Sequence, residues 1–243
     1  MNLFYAPNLS PCSQTYTFDK DESRHIVKSL RKKIGDILYL TNGLGDWFEA
    51  KITTADPKHT QINIIKVTKK DRRPYRIHIA IAPTKSNERF EWFLEKAVEI
   101  GIDEITPMIT RHSERKKIKL ERYDKILISA MKQSLQAYKP KLNDLTKFDR
   151  IVEQNYENTQ KFMAYCQADV SLSEQINPKQ NILILIGPEG GFSDEEIQKA
   201  KAKDFKTVSI SSNRLRTETA GLVSLMTAHL QMQALQQDQQ QVD

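Results

Sequence analysis

The stretch that decides the fold is Asn181-Ile182-Leu183-Ile184-Leu185-Ile186, which leads directly into Gly187-Pro188-Glu189-Gly190-Gly191-Phe192-Ser193. A continuous apolar run bounded by glycine and proline predicts a strand buried on both faces, which is typical of a parallel sheet covered by helices. Ser193 followed by Glu196 has the capping-box pattern and predicts a helix over residues 194–203. Because open α/β sheets bind ligands at the carboxyl ends of their strands, the glycine-rich loop is a candidate site.

A second segment repeats this arrangement. Ser211-Ser212-Asn213-Arg214-Leu215-Arg216-Thr217-Glu218-Thr219-Ala220 follows a predicted strand, residues 207–210, and precedes a predicted helix, residues 218–236. Thr217 is the expected N-cap of that helix. An arginine near a helix N-terminus is disfavoured by the helix dipole, which favours a ligand or partner role for Arg216.

Neither loop matches a nucleotide-binding fingerprint. The first has no GxGxxG or GxxxxGK spacing, and no lysine follows its glycines, so dinucleotide and nucleoside triphosphate binding are disfavoured. Residue chemistry alone leaves a tight strand-to-helix turn without a ligand as an equal alternative.

The rest of the chain divides into two patterns. Residues 77–236 alternate strands with helices, whereas the first 67 residues are mostly strand-like, with one helix predicted at residues 22–30. In that N-terminal part, the turn Asn42-Gly43-Leu44-Gly45-Asp46 predicts a hairpin. We therefore predict an α/β protein with an N-terminal β-barrel-like module and a C-terminal α/β domain. The further C-terminal predictions are strands at 77–82, 105–109 and 161–165, and helices at 88–100, ending at Gly101, and 118–137.

Composition describes a globular protein with concentrated positive charge. The 243 residues carry a net charge of +6, and residues 20–33 and 111–125 each contribute +4. Such concentration suits a polyanion-binding surface, although solvated helix faces would give the same pattern. No membrane span or signal peptide is expected. Cys12 and Cys166 form no metal or disulfide pattern, so a reducing cytoplasm and no metal are predicted.

The two loops together resemble those of the RsmE family, the ribosomal RNA uridine-N3 methyltransferases of the SPOUT class. The segments 185–193 and 215–220 are similar to its two signature segments, in the same order and at similar spacing. Residues 24–31 resemble its N-terminal RNA-contacting helix, and residues 96–102 resemble the end of one of its helices. The resemblance covers nearly the whole chain.

This resemblance implies a fold, a reaction and a partner. It implies a PUA-like RNA-binding β-barrel at residues 1–70, a SPOUT methyltransferase domain with a deep trefoil knot at 74–236, and a flexible tail at 237–243. It also implies a cytoplasmic homodimer that uses S-adenosylmethionine to methylate N3 of a specific uridine in 16S ribosomal RNA of the small subunit.

The resemblance also assigns site residues. The implied S-adenosylmethionine contacts are Ile186, Gly187, Glu189, Gly190, Gly191, Ile210, Leu215, Arg216 and Ala220. The implied RNA contacts are Arg24, His25, Lys28, Arg31, Lys32 and Lys33. The sequence departs from the family at Ser211, where glycine is usual, and at Asn213 and Gln136, where arginine is common.

The reaction implies two catalytic candidates. Uracil N3 becomes nucleophilic when its proton leaves, so a base or an anion-stabilising cation is expected. Arg216 is the candidate cation and Glu218 the tentative proton acceptor, with Glu189 as a second choice and helix capping as the structural alternative for Glu218. Two other functions stay open: a SPOUT enzyme acting on another RNA, such as transfer RNA 2′-O-methylation, and a non-catalytic RNA-binding protein.

Overall fold

The computed structural model describes residues 1–240, and their side chains as far as residue 234. The chain divides into two units, described separately here. Unit 1 comprises Met1–Arg72 and Ile128–Lys139, and unit 2 comprises Arg73–Leu127 and the chain from Pro140 onward. Residues 128–139 therefore group with the N-terminal unit, whereas the predicted domain 74–236 includes them.

Unit 1 is built on a five-stranded sheet. Its strand order is β1-β3-β4-β5-β2, with β1 parallel to β3 and every other pairing antiparallel. The predicted hairpin is confirmed as β3 and β4, whereas the short edge strands β1 and β2 were not predicted. The bounds are β1 (Leu3–Tyr5), β2 (Thr15–Thr17), β3 (Ile37–Thr41), β4 (Asp46–Thr54) and β5 (Gln61–Lys69).

The hairpin turn is held by one side chain and two glycines. Oδ1 of Asn42 accepts a hydrogen bond from the Leu44 amide at 2.9 Å, and Nδ2 donates to Asp46 at 2.7 Å. Gly43 and Gly45 have φ values of +78° and +94°, which favour glycine. The asparagine and glycines that suggested a turn in the sequence therefore build it.

The predicted helix at residues 22–30 is two shorter elements. Helix α1 (Lys20–Arg24) starts at the N-cap Asp19, which accepts from the Glu22 amide, and a π-helix (His25–Ser29) follows. The Leu30 amide bonds to the His25 carbonyl at 2.9 Å, five residues back. Arg31 then takes a left-handed φ of +54° and ends the element. The wider turn lets Ile26 remain fully buried in the unit 1 core while its polar neighbours face solvent.

Unit 2 is built on a parallel sheet, as predicted, and the sheet has seven strands. The order is β12-β10-β11-β6-β7-β8, and β9 also pairs with β7. The decisive strand, β11, lies between β10 and β6, and its residues 182–186 are all buried. The bounds are β6 (Ile77–Ile81), β7 (Glu104–Ile109), β8 (Lys141–Leu142), β9 (Thr146–Lys147), β10 (Thr159–Ala164), β11 (Asn181–Ile186) and β12 (Lys206–Val208).

Pro107 lies inside β7 without breaking the sheet. On one side β7 pairs with β6, where Pro107 faces Ile81. On the other side, β8 pairs with Glu104 and Ile105, and β9 pairs with Met108 and Ile109. Proline has no N–H to donate, and Pro107 lies between the residues that pair with β8 and those that pair with β9.

Six further helices complete the described chain. The predicted helix 118–137 is shorter, because Leu135 takes a φ of +56° just beyond its end. The last helix begins at Thr217 and continues through the backbone of residues 237–240, where a tail was predicted; residues 241–243 of that tail lie outside the described chain. No described helix is both long and apolar enough to span a membrane. The bounds are α2 (Asn87–Ile100), α3 (Leu120–Gln133), α4 (Phe148–Glu153), α5 (Leu172–Gln175), α6 (Asp194–Lys201) and α7 (Thr217–Gln240).

Candidate functional site

The candidate site lies at one edge of the unit 2 sheet. Strands β6, β7, β10, β11 and β12 are mutually parallel, so the loops that follow them emerge at the same edge. In open α/β sheets this carboxyl edge is where ligands bind. Both loops singled out in the sequence lie there, after β11 and after β12.

The glycine-rich loop after β11 is shaped by its glycines. Gly191 has a φ of +72°, and a Cβ built there would meet no atom within 4 Å, so the main chain borders open space. A Cβ at Gly187 would lie 3.0 Å from the Phe192 ring, and one at Gly190 would lie 3.1 Å from Cβ of His112. Side chains at those two positions would crowd the loop.

The predicted capping box is confirmed at the end of this loop. Oγ of Ser193 accepts from the Glu196 amide at 3.3 Å, and the Glu196 carboxylate accepts from the Ser193 amide at 2.9 Å. The reciprocal bonds fix the start of α6 and hence the exit of the glycine-rich loop.

The second loop is joined to the first by side-chain contacts. Oγ1 of Thr217 donates to the main-chain oxygen of Gly187 at 3.2 Å, and the Arg214 guanidinium reaches the main-chain oxygen of Glu189 at 3.5 Å. The prediction that Thr217 is an N-cap is wrong: Thr217 is the first helical residue, and its hydroxyl bonds across to the other loop.

Ser211 is one of the positions at which the sequence departs from the family that it resembles. Its hydroxyl accepts a hydrogen bond from the Asn213 amide at 3.1 Å and so forms a short turn.

Two further loops at this edge, after β6 and β7, contact the glycine-rich loop. The Lys85 amide donates to Oε1 of Glu189 at 3.3 Å, and Nδ1 of His112 donates to the Gly191 carbonyl at 3.2 Å. Arg115 donates from Nε to the Thr84 carbonyl at 3.0 Å and from a terminal nitrogen to the Lys85 carbonyl at 2.6 Å. Four loops therefore form one hydrogen-bonded assembly.

A buried carboxylate lies at the start of α7. Only 8% of the Glu218 side chain is exposed, and its Oε1 is 3.9 Å from Nε of Arg89 on α2. The helix dipole favours a carboxylate in the first turn. The ion-pair distance exceeds that of a good hydrogen bond, so the carboxylate retains lone pairs for another donor.

The predicted cofactor residues occupy the same two loops and their flanks. Ile186 is buried at the end of β11, and Ile210 and Leu215 are half-buried in the second loop. Arg216 is exposed, and its carbonyl accepts from the Ala220 amide at 2.8 Å in the first turn of α7. The structure joins the two loops at Gly187 and Glu189, and it gives no direct contact between the side chains of Arg216 and Glu218.

Sequence reasoning missed five contributors. They are Lys85, Arg89, His112, Arg115 and Arg214. The prediction of a parallel sheet contained the signal for three of them, since the loops after β6 and β7 must share the edge of the loop after β11. The pairing of Arg89 with Glu218 had no local signal.

The predicted RNA-contacting residues belong to unit 1. They occupy the last position of α1, the π-helix and the residues just after it, and all are exposed except Lys32, which is half-buried. Within the part of the chain that the structure describes, none of these cations forms an ion pair. The set is Arg24, His25, Lys28, Arg31, Lys32 and Lys33.

A polar cluster occupies the opposite, amino-terminal edge of the sheet. Burial lowers the pKa of His78 to about 4, with Glu104 opposing and Lys141 reinforcing the shift. Nε2 of His78 lies 2.7 Å from Oγ1 of Thr106. Burial, and secondarily Glu104, raises the pKa of Tyr156 to about 12. These shifts mark a structural polar cluster, distant from the loops. No three His, Cys, Asp or Glu side chains converge on a metal position within the described residues.

Comparison with known proteins identifies the family. A model of the RNA methyltransferase domain matches residues 71–229, and one of the RNA methyltransferase PUA domain matches residues 18–65. A ribosomal RNA small subunit methyltransferase E from Buchnera aphidicola is 33% identical over 218 residues, covering 86% of each chain.

Two solved structures extend the comparison. A probable rRNA methyltransferase from Porphyromonas gingivalis is 40% identical, with a TM-score of 0.91 over 97% of this chain and 100% of that one. A ribosomal RNA small subunit methyltransferase E from Neisseria gonorrhoeae, bound to S-adenosylmethionine, is 26% identical, with a TM-score of 0.86 over 97% of this chain and 98% of that one. The chain belongs to the ribosomal RNA small subunit methyltransferase E family, with an N-terminal PUA-type domain and a C-terminal RNA methyltransferase domain.

Proposed function

We propose that this protein transfers the methyl group of S-adenosylmethionine to N3 of a specific uridine in 16S ribosomal RNA of the small subunit. The observation that carries the proposal is the bond from Thr217 to Gly187, which joins two ligand-competent loops at the carboxyl edge of a parallel sheet. Family membership supplies the reaction class, and the Neisseria relative, bound to S-adenosylmethionine, supplies the methyl donor.

The two joined loops fit such a donor. The main chain at Gly191 borders open space, so a ligand can approach backbone amides and carbonyls there without meeting a side chain. Apolar side chains at Ile186, Ile210 and Leu215 flank the polar loop, which suits a ligand with an apolar base and polar ends. The proposed contacts are Ile186, Gly187, Glu189, Gly190, Gly191, Ile210, Leu215, Arg216 and Ala220.

Two side chains are proposed to act on the uracil ring. S-adenosylmethionine supplies an electrophilic methyl group on sulfur. Arg216 is exposed at the edge and permanently charged, so it can stabilise negative charge that develops on the uracil oxygens as N3 loses its proton. Glu218 is the proposed acceptor of that proton, because its buried carboxylate has Arg89 beside it but no close hydrogen bond to it.

Unit 1 is proposed to bind the RNA around the target. A positive surface that suits phosphate groups is formed by cations with no ion pair among the described residues, namely Arg24, Lys28, Arg31, Lys32 and Lys33. His25, exposed on the π-helix, is placed to stack on a base or donate to one. π-Helical turns occur frequently at functional sites, which supports this assignment.

The proposal also includes a knotted chain, a homodimer and a cytoplasmic location. We propose that the polypeptide of the two joined loops is threaded as a deep trefoil knot, as the family resemblance implies. A homodimer is supported by apolar side chains on α7 that lie partly in solvent, since Met226 and Leu230 are 41% and 56% exposed. A cytoplasmic location is supported by the ribosomal substrate and by two free, exposed cysteines.

Transfer of labelled methyl groups tests the function. Small subunits isolated from cells lacking the modification should accept label from S-adenosylmethionine, whereas large subunits and transfer RNA should not. Label in transfer RNA would instead support an enzyme acting on another RNA. Absence of both transfer and donor binding would leave a non-catalytic RNA-binding protein.

A further inference from the structure

We propose that Lys116, Lys117 and Lys119 form a second RNA-binding surface, which holds backbone phosphates beside the methyl-transfer site. These lysines lie on the loop between β7 and α3, in unit 2, and so are separate from the cations of unit 1. The inference rests on the proposed function, because it takes the RNA to be the molecule that reaches the carboxyl edge of the sheet.

The arginines and the lysines of residues 111–125 differ in their contacts. The arginines bind other groups of the protein. The Arg111 guanidinium pairs with Glu195 at 2.7 Å, and that of Arg122 bonds to Glu91 at 2.8 Å. Arg115 donates to the two main-chain carbonyls of the loop after β6. Each of the three arginines therefore already has a partner within the protein.

The three lysines, unlike Arg111 and Arg122, do not form ion pairs within the described chain. Lys116, Lys117 and Lys119 are all exposed. Like charges held close together repel one another, so the arrangement becomes favourable when a polyanion neutralises it. A lysine ammonium is a mobile point charge and suits phosphate oxygens that vary in position.

The loop that carries the lysines is anchored beside the site. On the N-terminal side of the lysines, Nδ1 of His112 bonds to the Gly191 carbonyl, and the Arg111 amide donates to Oε1 of Glu196 at 2.8 Å. Arg115, directly before Lys116, bonds to the loop that contacts Glu189. The anchoring residues thus hold the start of the lysine-bearing segment against the loops at the carboxyl edge of the sheet.

The spacing of the lysines suits a nucleic-acid strand. Residues 115–119 have no regular secondary structure. Three residues of extended chain span at most about 10 Å. One nucleic-acid strand places a charge about every 3.4 Å along its axis, so the three ammonium groups can contact two or three successive phosphates.

The test compares two triple variants with the same loss of charge. Lys116→Gln/Lys117→Gln/Lys119→Gln removes the proposed surface. Lys179→Gln/Lys201→Gln/Lys203→Gln is the control, because those lysines are exposed and without ion pairs in the described structure, and they lie toward the amino-terminal edge of the same sheet. Binding to small subunits lacking the modification is measured at several salt concentrations, and S-adenosylmethionine binding is measured separately.

We expect the slope of log affinity against log salt to become shallower by about 2 to 3 in the first variant alone. Donor binding should stay at the wild-type value in both variants. Equal slopes in the two variants, or an unchanged slope in both, would overturn the inference. A slope change with a wild-type protein that transfers no methyl group would instead retain the RNA surface and reject the proposed function.

Discussion

The hydroxyl of Thr217 donates a hydrogen bond of 3.2 Å to the main-chain oxygen of Gly187, across 30 residues of sequence. This bond links the first turn of α7 to the loop after β11, so the two loops assigned to the methyl donor hold one another in place. A binding site assembled from two loops depends on such links, because ordering either loop at the moment of binding would cost affinity.

Replacing Thr217 by valine should weaken S-adenosylmethionine binding. The substitution keeps the branched shape but removes the donor, and a net hydrogen bond contributes about 1 kcal/mol, which corresponds to roughly a fivefold increase in Kd. Titration calorimetry measures the change, and Thr217→Ser should recover most of the affinity. Wild-type affinity in the valine variant would mean that the loops hold their arrangement without this bond.

Replacing Glu218 by glutamine tests the proton acceptor. Loss of a general base typically lowers turnover by about 10²- to 10⁴-fold. We expect kcat to fall in that range while Kd for the donor changes little. Asp194→Asn is a matched control, since Asp194 is an exposed carboxylate in the first turn of another helix at the same edge. Full turnover in Glu218→Gln would remove Glu218 from the mechanism and direct attention to Glu189.

Replacing Gly221 of α7 by alanine should destabilise the protein, although the same replacement usually stabilises a helix. Glycine to alanine in a helix ordinarily stabilises by about 1 kcal/mol. Here the added Cβ would lie 2.7 Å from Cε2 of Phe93 and 3.0 Å from Cδ1 of Ile81. Overpacking costs typically about 1–3 kcal/mol, so Gly221→Ala should lower the free energy of unfolding measured with urea. An increase would show that α7 can shift away from α2 and β6 at little cost.

Stability should decrease in mild acid because of His78. The pKa of His78 is about 4 in the folded protein, against an ordinary value of 6.5, so between these values the unfolded chain binds more protons. The free energy of unfolding therefore falls as pH decreases, by at most about 2 kcal/mol between pH 7 and pH 5 from this group. His229, whose pKa burial and Arg73 also lower, acts in the same direction.

Comparison with His78→Gln isolates this contribution. Urea unfolding at pH 7 and pH 5 should show a smaller difference in the variant than in the wild-type protein. Burial raises the pKa of the Glu104 carboxyl, but His78, Asn143 and Lys141 together bring it below its ordinary value, so Glu104 loses its stabilising charge only at a pH below the ordinary range of a carboxyl group. The same pH dependence in both proteins would contradict the assignment.

A separate prediction concerns the part that the basic surface of unit 1 plays in RNA binding. Arg24→Ala/Arg31→Ala/Lys32→Ala removes three cations that have no ion pair among the described residues. The affinity for small subunits should fall, and its salt slope should become shallower by about 2 to 3. Unchanged affinity and slope would exclude this surface from RNA binding.

The features that could be predicted from the sequence are those formed by residues that lie close together in it. The apolar run at residues 181–186 can only be buried, so β11 and the parallel sheet could be predicted. Ser193 and Glu196 meet within one helical turn, and Asn42 folds its own hairpin turn, so these features were also readable from sequence.

Features that depend on distant partners could not be predicted. Strands β8 and β9 have two residues each and exist only because β7 offers edges on both sides of Pro107. Arg89 meets Glu218 only when α2 and α7 pack on the same sheet. Thr217 has the chemistry of an N-cap, and its bond to Gly187 required the complete arrangement of the loops.

The most direct test of the central claim is the identity of the methylated nucleoside. Small subunits lacking the modification are incubated with the protein and labelled S-adenosylmethionine, and their RNA is digested to nucleosides for mass spectrometry. The account predicts that the label appears in 3-methyluridine. Label in a ribose-methylated nucleoside or in any other base would contradict it.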